Sequence, residues 1–219
     1  MLLLAVLTLN LSGCELDERL DDLTGGYEGA FIDRQTGEKV ATEYYGAKLK
    51  LLDLAYGDVA VPLEYNTLPD GTYRNTKVYP SRYKVWANGP FFELDTIYGE
   101  IRDFKKMDLI VTPNVTLKIK EVELLYGITA NVTFTYQVND ERSKTQEIGL
   151  VYGKEQYPGQ RTAMNEGESG SHTYKRIKKN LTELSGEFTE TLFLNPNNTY
   201  YLRALGRTES AGDYWNYSE

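Results

Sequence analysis

Alternation with a period of two runs through most of this chain. It is clearest where Ala130, Val132, Phe134, Tyr136 and Val138 are separated by Asn131, Thr133, Thr135 and Gln137. Successive side chains of an extended strand point to opposite faces, so this spelling predicts a strand with one buried face. The pattern recurs at Leu49 and Leu51, at Tyr83, Val85 and Ala87, and at Val115, Leu117 and Ile119. It returns at Ile148, Leu150 and Tyr152, at Leu192 and Leu194, and at Tyr200, Leu202 and Ala204. Turn spellings punctuate these runs: Thr36-Gly37, Pro69-Asp70-Gly71, Asn88-Gly89-Pro90, Asn139-Asp140 and Asn195-Pro196-Asn197-Asn198. Many short strands between closely spaced turns imply sandwiches rather than parallel α/β units. The fold class is all-β.

Three places interrupt the alternation. Thr112-Pro113-Asn114 ends the run Met107, Leu109, Val111, because proline cannot donate to a ladder, and a new strand starts at Val115. This break divides the chain into two β-sandwich domains, 25–112 and 113–219, each close to the usual sandwich size. Parity flips between Ile119 and Val122, which predicts a bulge near Lys120 and Glu121. Finally, Gly153 to Gly186 is glycine-rich and reads as a long loop, with one short helix over Arg176 to Glu183 from the spacing of Ile177, Leu181 and Leu184. His172, the only histidine, falls in that loop and reads as a solvated surface residue without a metal-site partner.

The amino terminus changes the picture. An apolar run from Met1 to Leu9 leads into Leu11-Ser12-Gly13-Cys14, which matches the lipobox of bacterial lipoproteins. Residues 1–13 are too short to span a bilayer, which takes about 20 apolar residues, and have the dimensions of a signal-peptide core. Cys14 is then the lipidation site and first residue of the mature chain. Residues 14–24, with Glu15, Asp17, Glu18, Asp21 and Asp22, form an acidic tether. As the only cysteine, Cys14 has no intramolecular disulfide partner, so the fold rests on packing.

A net charge of −8 supplies no basic footprint for nucleic acid and no attraction to an anionic bilayer. Membrane attachment therefore falls to the acyl chains on Cys14. The sequence contains no Gly-x-Ser-x-Gly elbow, His-Glu-x-x-His helix, phosphate-cradling loop or Cys/His metal spacing. It reads as a non-enzyme without a cofactor or metal.

Several stretches carry a family resemblance. Tyr27-Glu28-Gly29, Thr36-Gly37-Glu38, Asp70-Gly71-Thr72-Tyr73-Arg74-Asn75, Tyr83-Lys84-Val85 and Gly89-Pro90-Phe91-Phe92 resemble the first domain of a Bacteroidetes lipoprotein family of unknown function. Tyr200-Tyr201-Leu202-Arg203 and Asn216-Tyr217-Ser218 are similar to its second domain. The acidic run after Cys14 likewise resembles that of lipoproteins exported to the cell surface in this phylum. The resemblance implies a prealbumin-like, carboxypeptidase-regulatory-like domain over 25–112 and an immunoglobulin or fibronectin III-like domain over 113–219. It also implies an outer-membrane protein facing the cell exterior, encoded beside transporters of the starch-utilisation type. Ser81 stands where the family's turn usually places glycine.

Candidate binding residues follow from parity. Trp86 falls with Arg82 and Lys84 on the polar side of its strand, opposite Tyr83, Val85 and Ala87. An aromatic ring so placed is a platform for a pyranose, or else is covered by a loop or by the second domain. Phe91 and Phe92 are adjacent, so an extended segment turns at most one of them into a given core and leaves the other as a second platform. Tyr73 and Tyr79 read as core, as do Tyr214, Trp215 and Tyr217. Two functions remain: a surface-anchored accessory lipoprotein that binds polysaccharide for a transporter complex, or a structural or adhesion module that contacts protein partners only.

Overall fold

The computed structural model describes residues 22–92, 94–139, 141, 143–165 and 172–219. Cys14 and the tether up to Asp21 lie outside the described residues, and the lipidation assignment with them. Within them the protein is all-β. Strands β1 (Gly25–Asp33), β2 (Lys48–Asp53), β3 (Leu63–Asn66), β4 (Thr72–Val78), β5 (Ser81–Asn88), β6 (Ile97–Ile101), β7 (Phe104–Lys106) and β8 (Leu109–Val111) precede Pro113. Strands β9 (Val115–Leu125), β10 (Thr129–Val138), β11 (Thr145–Gly153), β12 (Ala163–Asn165), β13 (His172–Leu181), β14 (Ser185–Phe193), β15 (Tyr201–Thr208) and β16 (Asn216–Tyr217) follow it.

The strands before Pro113 form two sheets. One has the order β3-β2-β5-β6 and is antiparallel throughout. In the other, β1 pairs antiparallel with β4, while β7 and β8 lie parallel to successive parts of β1. The alternation in β2 and β5 turns Leu49, Leu51, Tyr83 and Val85 inward, where they meet Tyr27, Phe31, Tyr73 and Leu109 of the facing sheet. Aromatic edges knit this core: the Tyr27 ring lies 5.7 Å from Tyr65 and 6.1 Å from Tyr73. Tyr73 is core as expected. Tyr79 is not: it sits half-exposed between β4 and β5, and its carbonyl accepts the hydroxyl of buried Tyr83 at 2.8 Å. The turn into β4 requires Gly71, whose φ is +78° and where a Cβ would meet the Val40 carbonyl oxygen at 2.3 Å.

After Pro113, the sheet β14-β10-β9 faces the sheet β12-β13-β11-β15-β16. The expected bulge is present: Thr133 pairs with Glu121 and Phe134 with Ile119, leaving Lys120 as the extra residue. The expected helix is not. Arg176 to Leu181 belongs to β13, and a register shift opposite Ile148 and Gly149 leaves Ile177 unpaired within it. Tyr174 and Ile177, three residues apart, face opposite sides of a sheet that is covered on both, so apolar residues here do not keep to one parity.

The five-stranded sheet is covered on both faces, which is why β11 is buried almost without interruption. One face packs on Val132, Phe134 and Leu192. The other collects Val151, Tyr174, Leu205, Trp215 and Tyr217 together with Ala41 from before Pro113. Trp215 and Tyr217 are thus core residues, while Tyr214 is half-buried.

Candidate functional site

The contact between the two halves is built on charge buried among backbone carbonyls. Arg203 on β15 is almost fully buried and donates from Nη1 to the Thr42 carbonyl at 2.7 Å and from Nε to the Ser218 carbonyl at 3.1 Å. Its guanidinium stacks 4.3 Å above the Tyr217 ring, and burial pulls its pKa down to about 10. Glu43, in the connection before β2, points into the same region. Its Oε2 accepts the Arg161 amide at 2.9 Å, and burial pushes its carboxyl up against the pull of Arg161. Gly159 is required beside it, because a Cβ there would sit 2.8 Å from Glu43 Oε2. Asn216 completes the junction, donating to the Pro90 carbonyl at 2.8 Å and accepting the Val115 amide at 3.0 Å.

Above Arg203 these elements leave an open cleft of about 770 Å³ between the halves. One wall carries Ile32, Glu38, Lys39 and Asp70, and the other carries Gln156, Tyr157, Tyr201 and Leu202, with Glu219 also at the cleft. Tyr157 is 43% exposed and Tyr201 37%, so both rings are open to solvent at the cleft. Tyr157 is held at φ +58°, where a bulky side chain is a true outlier. The Arg203 guanidinium lies 6.0 Å from its ring. Across the cleft, partial burial works against the charge of Asp70. Hydrogen bonds from the Thr72 hydroxyl and amide, with Lys39 Nζ at 3.5 Å, nevertheless hold its carboxyl below the usual range. Apolar walls with a few converging polar groups are the usual composition of a small-molecule site.

The residues expected to bind from sequence do not line this cleft. Trp86 lies on the outer face of its sheet as parity required, half-buried, with Lys84 Nζ 5.4 Å from the ring and Lys50 opposite. Tyr98, 56% exposed, shares that face through its pairing with Lys84. Glu64 at its edge is clamped by Lys50 at 2.7 Å and Lys48 at 2.9 Å, which draw its pKa down to about 2. Phe91 is a core residue, packed 4.7 Å from the Phe31 ring, and offers no free face for stacking. Its partner Phe92 is half-buried, with its amide bonded to the Thr112 carbonyl at 3.0 Å. His172 is buried rather than solvated. Thr162 Oγ1 lies 2.9 Å from its Nδ1, and desolvation lowers its pKa against the attraction of Glu155.

No family model matches the sequence, and no curated protein matches it significantly. Solved structures do match. A DUF3823 family protein of Bacteroides uniformis superposes with a TM-score of 0.74 at 22% identity, covering 90% of this chain and 97% of its own. This chain shares the fold of DUF3823 proteins. A second B. uniformis protein, described as a "putative carbohydrate binding protein", aligns with a TM-score of 0.69 at 20% identity over 89% of this chain and 95% of its own. A DUF3823 protein of Bacteroides ovatus gives 0.69 at 19% identity over 89% and 96%.

The sequence did not single out Tyr157 or Tyr201 as binding residues: Tyr157 falls in no motif, and Tyr201 enters only within the family-like stretch Tyr200-Tyr201-Leu202-Arg203. Tyr157 lies in a glycine-flanked stretch between strands, and Tyr201 lies beside Tyr200, whose parity assigned it to the core. The only local signal was an aromatic next to Pro158 and Gly159, a place where a backbone turns.

Proposed function

We propose that this protein is a non-enzymatic glycan-binding module and that the cleft between its halves holds the sugar. Two half-exposed tyrosine rings on one wall, facing hydrogen-bonding groups on the other, carry the reading. A pyranose presents an apolar face to an aromatic ring and hydroxyls at its edge. Tyr157 and Tyr201 supply the first kind of contact; Asp70, Lys39 and Gln156 supply the second. The left-handed backbone at Tyr157, shared by Tyr45 and Tyr126, costs about 1–2 kcal/mol. The B. uniformis neighbour described as carbohydrate-binding supports the same reading. With Cys14 lipidated, the module stands on the outer surface of the outer membrane as an accessory of a polysaccharide-uptake transporter.

Affinity electrophoresis through gels containing neutral polysaccharides tests it. Tyr157→Ala and Tyr201→Ala lose retention, whereas Trp86→Ala keeps it, with all thermal midpoints within a few degrees of the parent. Retention lost in Trp86→Ala alone would move the site to the outer sheet face. The protein-partner function rests on a different observation: Leu124, Tyr126 and Phe193 are 69%, 96% and 73% exposed around the β9–β10 hairpin. Absence of glycan binding across a broad panel would favour that reading.

A further inference from the structure

The segment that borders the cleft through Gln156, Tyr157 and Pro158 continues into a second hollow, of about 560 Å³, lined by three arginines. Arg161 comes from the 3-10 turn Gln160–Thr162, Arg176 from β13 and Arg207 from β15. In a chain of net charge −8 three arginines gather here, with Glu147 and Asp213 also lining the hollow.

The three guanidiniums are not equivalent. Arg207 is structural: its side chain is 19% exposed, lies 4.7 Å above the Trp215 ring, and donates to the Gly212 carbonyl at 3.2 Å and to Glu147 Oε2 at 3.3 Å. Arg161 and Arg176 stand 45% and 51% exposed at the hollow. Each turns its Nε toward a buried carboxylate behind it. Arg176 Nε bonds to Glu147 Oε1, and Arg161 Nε lies 3.5 Å from Glu43 Oε1. Glu147 is saturated in addition by the Tyr174 hydroxyl at 2.8 Å.

The compensating charge is therefore placed in the wall. Glu147, which lines the hollow, and Glu43 are only 2% and 3% exposed, so the arginines in front of them stand between these carboxylates and the solvent. The third acid, Asp213, is 98% exposed and 3.4 Å from Arg207 Nη1, where water screens it. A guanidinium has five donors in a planar fork, and fixing Nε orients the Nη pair. Holding Glu147 and Glu43 in place needs only the Nε sides. Arg176 is oriented by its Nε bond and Arg161 is drawn to Glu43 by charge, and both half-exposed side chains line one hollow, where two guanidinium forks can recognise a planar or tetrahedral oxyanion.

We propose that this hollow binds the anionic group of an acidic polysaccharide, a carboxylate or a sulfate ester, between the Nη edges of Arg161 and Arg176. The polysaccharide carrier rests on the glycan reading above; the oxyanion site does not. Matched polymers separate the two. The full mature chain is titrated calorimetrically with polygalacturonate and its methyl ester, and with dextran sulfate and dextran. At least one charged polymer binds about tenfold more tightly than its neutral counterpart, and inorganic sulfate competes. Polygalacturonate alone marks a carboxylate site, dextran sulfate alone a sulfate site.

Arg161→Lys and, separately, Arg176→Lys, which keep a cation on Glu43 and Glu147 but lose the fork, each weaken the charged polymer by about fivefold or more. Their thermal midpoints stay near the parent's, and Tyr157→Ala leaves binding of the charged polymer intact. Equal binding of charged and neutral partners, or full binding in a folded Arg161→Lys, Arg176→Lys double variant, overturns the proposal. Charged polymers bound by a protein that retains no neutral glycan would refute the cleft reading and leave this one standing. Neutral glycans bound as well as charged ones would do the reverse.

Discussion

Replacing Arg203 separates the terms that join the two halves. The guanidinium hydrogen-bonds the carbonyls of Thr42 and Ser218 and stacks on Tyr217, while its stem fills space beside the cleft. Leaving two buried carbonyls without donors costs about 1–3 kcal/mol each, and the desolvated stacking contributes about 2 kcal/mol. Against this stands the cost of burying the charge. A pKa pulled from 12.5 to about 10 corresponds to about 3 kcal/mol that a neutral side chain recovers. Arg203→Met, which keeps most of the stem, therefore comes out destabilising by about 1–5 kcal/mol. Arg203→Ala also removes the stem and leaves a cavity, adding about 2–3 kcal/mol.

The two tryptophans give the assay, because Trp86 lies before Pro113 and Trp215 after it. In Trp215→Phe and Trp86→Phe backgrounds, each remaining indole reports on one half during urea unfolding. With Arg203 present the two reports coincide. In Arg203→Ala the midpoints fall and separate, since the halves lose the residue that joins them. A loss in Arg203→Met equal to that in Arg203→Ala would mean that the carbonyl bonds carry the junction and the stem does not. Coincident, unshifted transitions in Arg203→Ala would refute the reasoning entirely.

Two further outcomes follow from the same geometry. Tyr157→Asn places a residue that tolerates φ +58° at the strained position, so stability stays within about 1 kcal/mol of the parent or rises, while glycan retention in the gel is lost; a large fall in the thermal midpoint would contradict this. His172 is buried with its pKa below 6.5, so the unfolded chain takes up the proton first as pH falls. Its contribution is present above 6.5 and lost below it. Midpoints measured between pH 7.5 and 5 decline more steeply for the parent than for His172→Gln, and parallel curves would refute the assignment.

Much of the fold was legible because alternation survives wherever one sheet face is buried and the other is wet. β10 and β5 match their spelling residue by residue, and the bulge at Lys120 showed as a parity flip. β13 was illegible for the converse reason. Its sheet is covered on both faces, so Tyr174 and Ile177 serve different cores, and the spacing of Ile177, Leu181 and Leu184 imitates a helix. Trp86 was placed on the right face, since parity settles direction. The cleft was not visible at all. Its walls come from residues more than a hundred positions apart, such as Asp70 and Tyr201, and its floor depends on Arg203 reaching across to Thr42. No local periodicity encodes a meeting of that kind.

The extra residue in β9 also governs how copies of the protein meet. β9 is the outer strand of its sheet, and an outer strand offers unpaired amides and carbonyls to any neighbour able to extend it. Here that edge carries Lys118, Lys120, Glu121 and Glu123, and the bulge at Lys120 breaks the spacing of its free groups midway. A second copy laid alongside could match the ladder on one side of Lys120 only, and would carry its own charges into the seam. Copies of the protein are thus kept from joining along β9 into one continuous sheet.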